Sequence, residues 1–207
     1  MKSLLPHLYN GHNCFFITFR LADSLPQSVI AELKNKLQGE VKLIDEKDQI
    51  KKRIIIDELK IKHFKKYEHQ LDSKPYGDCV LKNIEIAQIL YDKILSYHGK
   101  YYKLHCFCIM PNHVHILLST LDDNEIVKLD KWLQLIKGGS AYLINKALNR
   151  TGKLWATESF DRYIRNEEHF YNSYNYTLNN PRLAKLSKIH LQKPFIWKAD
   201  GNEELQP

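Results

Sequence analysis

An α+β fold, ferredoxin-like in the order of its elements, is predicted by three observations. Two apolar strands flank the breaker Met110-Pro111-Asn112, an amphipathic helix precedes them, and a separate aromatic strand lies near the start of the chain. From Cys14 onward the order reads strand, helix, strand, strand, helix, strand, helix, which makes an antiparallel sheet with helices on one face. At 207 residues the chain suffices for one good core. We therefore expect residues 1–207 to form a single domain, with a charged helical insertion over 27–75 and a weakly structured tail over 187–207.

The first strand is Cys14 to Leu21 (CFFITFRL), dense in aromatic and β-branched residues and ended by Asp23 and Pro26. From Gln27 to about Gln70 the pattern is helical but strongly charged. Apolar residues recur at Leu33, Leu37, Ile50, Ile54, Leu59 and Ile61, which predicts one or two long, partly exposed helices interrupted at Gly39. After a loop over 72–78, Ile86, Ile89, Leu90, Ile94 and Tyr97 fall on one side of a helix that Asn83 can cap and Gly99 can close. Tyr101 to Ile109 and His113 to Ser119 are the two central strands. After Leu121-Asp122-Asp123-Asn124 a helical stretch runs to Asn149, punctuated at Gly138-Gly139. Leu154 to Ile164 follows as a strand, or two short ones. Asn166 then caps a helix with Glu167 and Glu168 in its first turn, and Pro181 ends it at Asn180.

The net charge of +7 and a pI near 9.1 favour a polyanionic partner. Cys14, Cys79, Cys106 and Cys108 include no C-x-x-C pair and are read as reduced core residues. A secretory leader pattern and a bilayer-length apolar run are both missing, as expected of a cytoplasmic protein with no membrane partner.

His113-Val114-His115 holds the most specific chemistry. Alternation along a strand sends both imidazoles to one face, and two imidazoles at that spacing are half of a divalent-metal site. The alternative is structural, with His115 buried and hydrogen-bonded and His113 capping the strand. The last helix is rich in tyrosine at Tyr171, Tyr174 and Tyr176, and Tyr176 shares a helix face with Asn180 one turn later. A phenol beside a metal site suits phosphoryl transfer to a protein nucleophile, whereas tyrosines at helical spacing otherwise serve packing. An amide oxygen suits Mg²⁺ or Mn²⁺, and imidazoles lean toward Mn²⁺ or other transition metals.

These residues resemble a known family. MPNHVHILL, KGGSAYLIN, LWATESFDRYIRNEEH and YTLNNPRLAKL, in that order, are similar to the single-tyrosine HUH transposases, nearest to the REP-associated tyrosine transposase branch. The resemblance covers Cys14 to Leu186 and is loosest over Gln27 to Gln70. It implies that His113 and His115 bind the divalent metal (Mg²⁺ or Mn²⁺), that Asn180 is the third ligand, and that Tyr176 is the nucleophile. It also implies cleavage of single-stranded DNA near hairpins through a 5′-phosphotyrosine, by a monomer or a homodimer. Two departures stand out. Thr177 replaces the usual isoleucine, and Lys185 falls where relatives carry the glycine of Asn-Pro-Val-x-Ala-Gly. Tyr174 is a second candidate nucleophile on a different helix face.

For DNA contact the sequence offers Arg20, Lys137, Arg162, Arg165 and Arg182 as a phosphate track. Trp155, Phe160 and Tyr163 could stack on bases, although at least two of the three are expected in the core. The leading expectation is a metal-dependent single-stranded DNA endonuclease and strand transferase. The competing ones are a catalytically silent hairpin-binding protein of regulatory or architectural role, and a phosphodiesterase that uses water.

Overall fold

The computed structural model describes residues 13–73, 76–122 and 129–199. The chain divides into two compact units, Met1–Ala22 with Val80–Pro207, and Asp23–Cys79.

The larger unit holds a five-stranded antiparallel sheet of β1 (Cys14–Leu21), β2 (Lys103–Ile109), β3 (His113–Ser119), β4 (Trp155–Ile164) and β5 (Ile196–Lys198), in the order β4-β1-β3-β2-β5. The first four strands have the expected ferredoxin-like order. The fifth is an addition at the β2 edge, drawn from the tail that the sequence suggested was weakly structured. Phe195 is fully buried just before β5 and anchors it. The rest of the tail, residues 200–207, lies outside the described residues.

Strand alternation divides the chemistry of the sheet between its faces. Ile17, Phe19 and Leu21 of β1, Val114, Ile116 and Leu118 of β3, and Phe107 and Ile109 of β2 point to the same side. There they form the core with Leu90 and Ile94 of α3 (Ile84–Leu95) and Trp132 and Ile136 of α4 (Leu129–Ala147). The other face is covered by α5 (Glu167–Leu183), so helices lie on both faces and not on one as the element order suggested. A bulge at His105 resets the β2 alternation, which brings Cys106 and Cys108 onto the α5 face opposite Leu117 and His115. All four cysteines are free and buried.

Local chemistry explains most helix ends. Asn83 accepts from the Glu85 and Ile86 N–H groups, and Asn166 from that of His169. Helix α4 runs straight through Gly138-Gly139, where the sequence suggested a break. Gly139 lies against the Lys93 side chain of α3, and a Cβ there would run into it. Helix α5 likewise continues past Asn180 to Leu183 with Pro181 inside it, because the Ala184 N–H still reaches the Asn180 carbonyl at 2.9 Å.

The smaller unit is a helical pair, α1 (Gln27–Lys42) and α2 (Gln49–Ser73). Gly39 sits inside α1, and the break falls instead at 43–48, where Asp48 caps α2 through the Ile50 and Lys51 N–H groups. One glycine costs a helix only about 1 kcal/mol, whereas a cap fixes where a new helix begins. Of the loop expected over 72–78 and the helix start expected after Asn124, residues 74–75 and 123–128 lie outside the described residues.

Candidate active site

His113 and His115 project from β3 beneath α5, both fully buried. Their Nε2 atoms stand 3.0 Å apart. Each Nδ1 is held from behind. The His113 Nδ1–H donates to Asn112 Oδ1 at 2.7 Å, and His115 Nδ1 lies 2.7 Å from the hydroxyl of Thr18, its cross-strand partner on β1. Asn112 Oδ1 can only accept, so His113 is fixed with its lone pair on Nε2. The Thr18 hydroxyl both donates and accepts. It can therefore serve His115 in either tautomer. With the proton on Nε2, His115 donates to His113. With the proton on Nδ1, both rings turn lone pairs toward one point.

Burial favours the neutral rings. It pushes the pKa of His113 down to about 3, and burial with the neighbouring His113 pushes His115 well below its ordinary value. A neutral imidazole is the metal-binding form. Two donors about 2.1 Å from a common octahedral cation, at right angles, lie about 3.0 Å apart, which is the observed Nε2 separation.

Helix α5 brings up the other expected residues. The Tyr176 ring meets His115 edge-on at 5.4 Å between centroids, and Phe16 of β1 packs against both, at 5.5 Å from His115 and 5.9 Å from Tyr176. One turn on, the Asn180 amide donates to the Tyr176 hydroxyl at 2.9 Å. Its Oδ1 is buried and has no hydrogen-bond partner among the described residues. An orphaned amide oxygen tied through Tyr176 to an imidazole pair is a donor set that fits a hard or borderline divalent cation. Among the described residues no group of three or more His, Cys, Asp or Glu side chains offers a cation site, so the donor set here is two imidazoles and one amide.

Tyr174 is turned away, buried and stacked on Phe170. Thr177 is fully buried and spends its hydroxyl on the Ser173 carbonyl at 2.8 Å, so it fills an apolar position without leaving a polar group unmet. Sequence reasoning missed Thr18, Asn112 and Phe16. Asn112 adjoins His113 in the same motif and could have been found there, and Thr18 was visible as the hydroxyl within an apolar strand.

The five cations expected to contact DNA differ in exposure and in what they already bond. Arg20 is buried on the histidine face and donates to the Leu21 carbonyl at 3.1 Å, which removes it from the surface. Half-buried Lys137 donates to the Thr157 carbonyl at 3.0 Å, beside a cleft of about 440 Å³ between α4 and the start of β4. Arg162 is half-buried on the histidine face, opposite Phe16, while Arg165 and Arg182 are exposed. Of the three aromatics only Trp155 is in the core, donating to the Ser140 hydroxyl. Phe160 is partly buried and Tyr163 exposed, so the expectation of two core residues fails. Edge strand β4 leaves their outer sides uncovered.

Residues 80–167 match the family model described as "Transposase IS200 like", which bears out the family likeness read from the sequence and supports a role as a DNA transposase, a DNA-processing enzyme. The match takes in both histidines and ends nine residues before Tyr176. A comparison with curated proteins found no match. Among solved structures, the chain is similar to a REP-associated tyrosine transposase bound to a REP hairpin, at 13% identity and a TM-score of 0.44, over 97% of this chain and 94% of that one. It is also similar to a candidate transposase from Deinococcus radiodurans R1, at 15% identity and a TM-score of 0.34, over 87% and 97%. No helix among the described residues is long and apolar enough to cross a membrane.

Proposed function

From a chain whose residues 80–167 match the IS200-like transposases, we propose a divalent-metal-dependent enzyme that cuts and rejoins single-stranded DNA near hairpins, with Tyr176 as nucleophile. The observation that carries the reading is the Asn180 amide bonded to the Tyr176 hydroxyl while the Tyr176 ring lies against His115. His113, His115 and Asn180 would hold Mg²⁺ or Mn²⁺ through two imidazole nitrogens and one amide oxygen. When bound, the cation would neutralise charge on the scissile phosphate.

The chain's own groups supply the rest. Asn180 donates to the phenol oxygen and so steadies its position. Phe16 and His115 confine the ring, so the oxygen is held in place before the strand arrives. Attack of Tyr176 Oη on phosphorus breaks the P–O3′ bond. The products are a 5′-phosphotyrosine and a 3′-hydroxyl that carries away a proton. One phosphodiester replaces another, so the 3′-hydroxyl can reverse the step without an energy source. Tyr176 lies beside His115 of its own chain, which supports a reading in which one protomer supplies both the tyrosine and the histidines.

Incubation with Mn²⁺ or Mg²⁺ and a single-stranded hairpin oligonucleotide from the DNA flanking the gene should yield a covalent adduct that survives denaturing electrophoresis. Tyr176→Phe should lower its yield by roughly 10²-fold or more. An undiminished adduct in Tyr176→Phe would remove this tyrosine from the mechanism. Hairpin binding with no adduct under either metal would favour a silent binding protein.

A further inference from the structure

A second polar cluster, where β4 ends and α5 begins, takes no part in the chemistry above. His169 lies on α5 seven residues before Tyr176, on the same side of the helix and about 10 Å along its axis. The backbone N–H of Arg165 donates to its Nδ1 at 3.3 Å. Burial, followed by the positive charges of Arg162 and Arg165, pushes the pKa of His169 down to about 4, so the ring is neutral near pH 7. With Nδ1 accepting, the single ring proton sits on Nε2. The ring is only partly buried, but that Nε2–H is covered as it stands and has no hydrogen-bond acceptor among the described residues.

Leaving a buried donor unmet costs about 1–3 kcal/mol. The charges that act on this ring are guanidinium groups, so the acceptor that suits it is an anion. Arg162 ties the cluster to the site already described. It is the cross-strand partner of Phe16, whose ring packs on Tyr176 and His115.

We propose that His169 and Arg162 together bind a phosphate of the DNA strand other than the scissile one, the His169 Nε2–H donating to a phosphate oxygen and the Arg162 guanidinium supplying the charge. The proposal rests on the reading that Tyr176 attacks that strand. An axial offset of about 10 Å corresponds to about three nucleotides of a stacked strand at ~3.4 Å each, and to fewer of an extended one. The contact would therefore set where along the strand the phenol cuts, through a neutral donor that no reading of basic residues would single out.

The test combines protein and DNA changes. Phosphates on either side of the cut in the hairpin oligonucleotide are replaced singly by uncharged methylphosphonate, and binding is measured by fluorescence anisotropy. For the wild type, one replacement within about three nucleotides of the cut should weaken binding about tenfold. In His169→Ala the same replacement should matter less than about twofold, and His169→Gln, which keeps an N–H donor, should recover part of the sensitivity. Should His169→Ala fold poorly, Arg162→Gln enters the same comparison. Variants as sensitive as the wild type at every phosphate would overturn the contact. A wild type that forms no adduct but shows this coupling would overturn the Tyr176 chemistry and leave the phosphate contact standing.

Discussion

A buried imidazole is a strong commitment for a single residue, because the fold has to hold it neutral. His113 and His115 are both held so by burial, with pKa values below the ordinary 6.5, to about 3 for His113. The unfolded chain takes up protons on these rings below pH 6.5 and the folded chain does not, so stability falls as pH falls. The loss is at most on the order of 1.4 kcal/mol per histidine per pH unit, continuing for His113 until the pH nears 3. We expect the metal-free protein to show a steep drop in denaturation midpoint between pH 6.5 and 4.5, and Mn²⁺ to raise the midpoint at pH 7. Urea titrations across that range check both. A midpoint independent of pH would mean that the rings are already charged or solvated. At this scale the sequence displayed the imidazole pair and the Tyr176–Asn180 spacing. It did not display the Thr18 and Asn112 contacts, which depend on strand register and on a side-chain turn.

Among the elements, α5 departs furthest from its sequence pattern. A proline after Asn180 is a stop signal, yet the helix continues to Leu183 and closes at Lys185. The Leu186 N–H reaches the Pro181 carbonyl at 2.9 Å and the Lys185 N–H the Arg182 carbonyl at 3.0 Å, a Schellman-type end. Lys185 adopts φ +55°, at the position where relatives of the resembling family carry glycine. A left-handed lysine is disfavoured by about 1–2 kcal/mol, partly offset by the freedom a glycine would give the unfolded chain. Lys185→Gly should therefore stabilise the fold by about 0.5–1 kcal/mol, read as a rise in thermal midpoint with unchanged adduct yield. A lower midpoint would mean that the Lys185 side chain makes contacts worth more than the backbone strain. The missing glycine thus left the turn in place and moved its cost onto the lysine.

For the whole molecule, the division into two units gives its own prediction. Asp23 and the 77–78 segment lie together at the ends of the helical unit. The Asp78 N–H donates to Asp23 Oδ2 at 2.9 Å, and a Cβ on Gly77, at φ +77°, would run into Asp23. Ends this close can be bridged by a short link. Replacing residues 24–77 with a Gly-Ser linker should leave a folded sheet unit that still binds Mn²⁺ and forms the adduct, as circular dichroism and the gel assay would show. Loss of folding would mean that the helical pair supports the sheet. The sequence by itself determined the first four strands, the caps at Asn83 and Asn166, the histidine pair and the helix face shared by Tyr176 and Asn180, because each is set by periodicity or by neighbours a few residues away. Only the tertiary structure decided which face of the sheet α5 covers, that Arg20 is buried beside the histidines, that the tail adds β5, and that a phenol from residue 176 meets an imidazole from residue 115. Those outcomes depend on register and packing between segments far apart in the chain, and hydrophobic burial, which drives that packing, has no direction of its own.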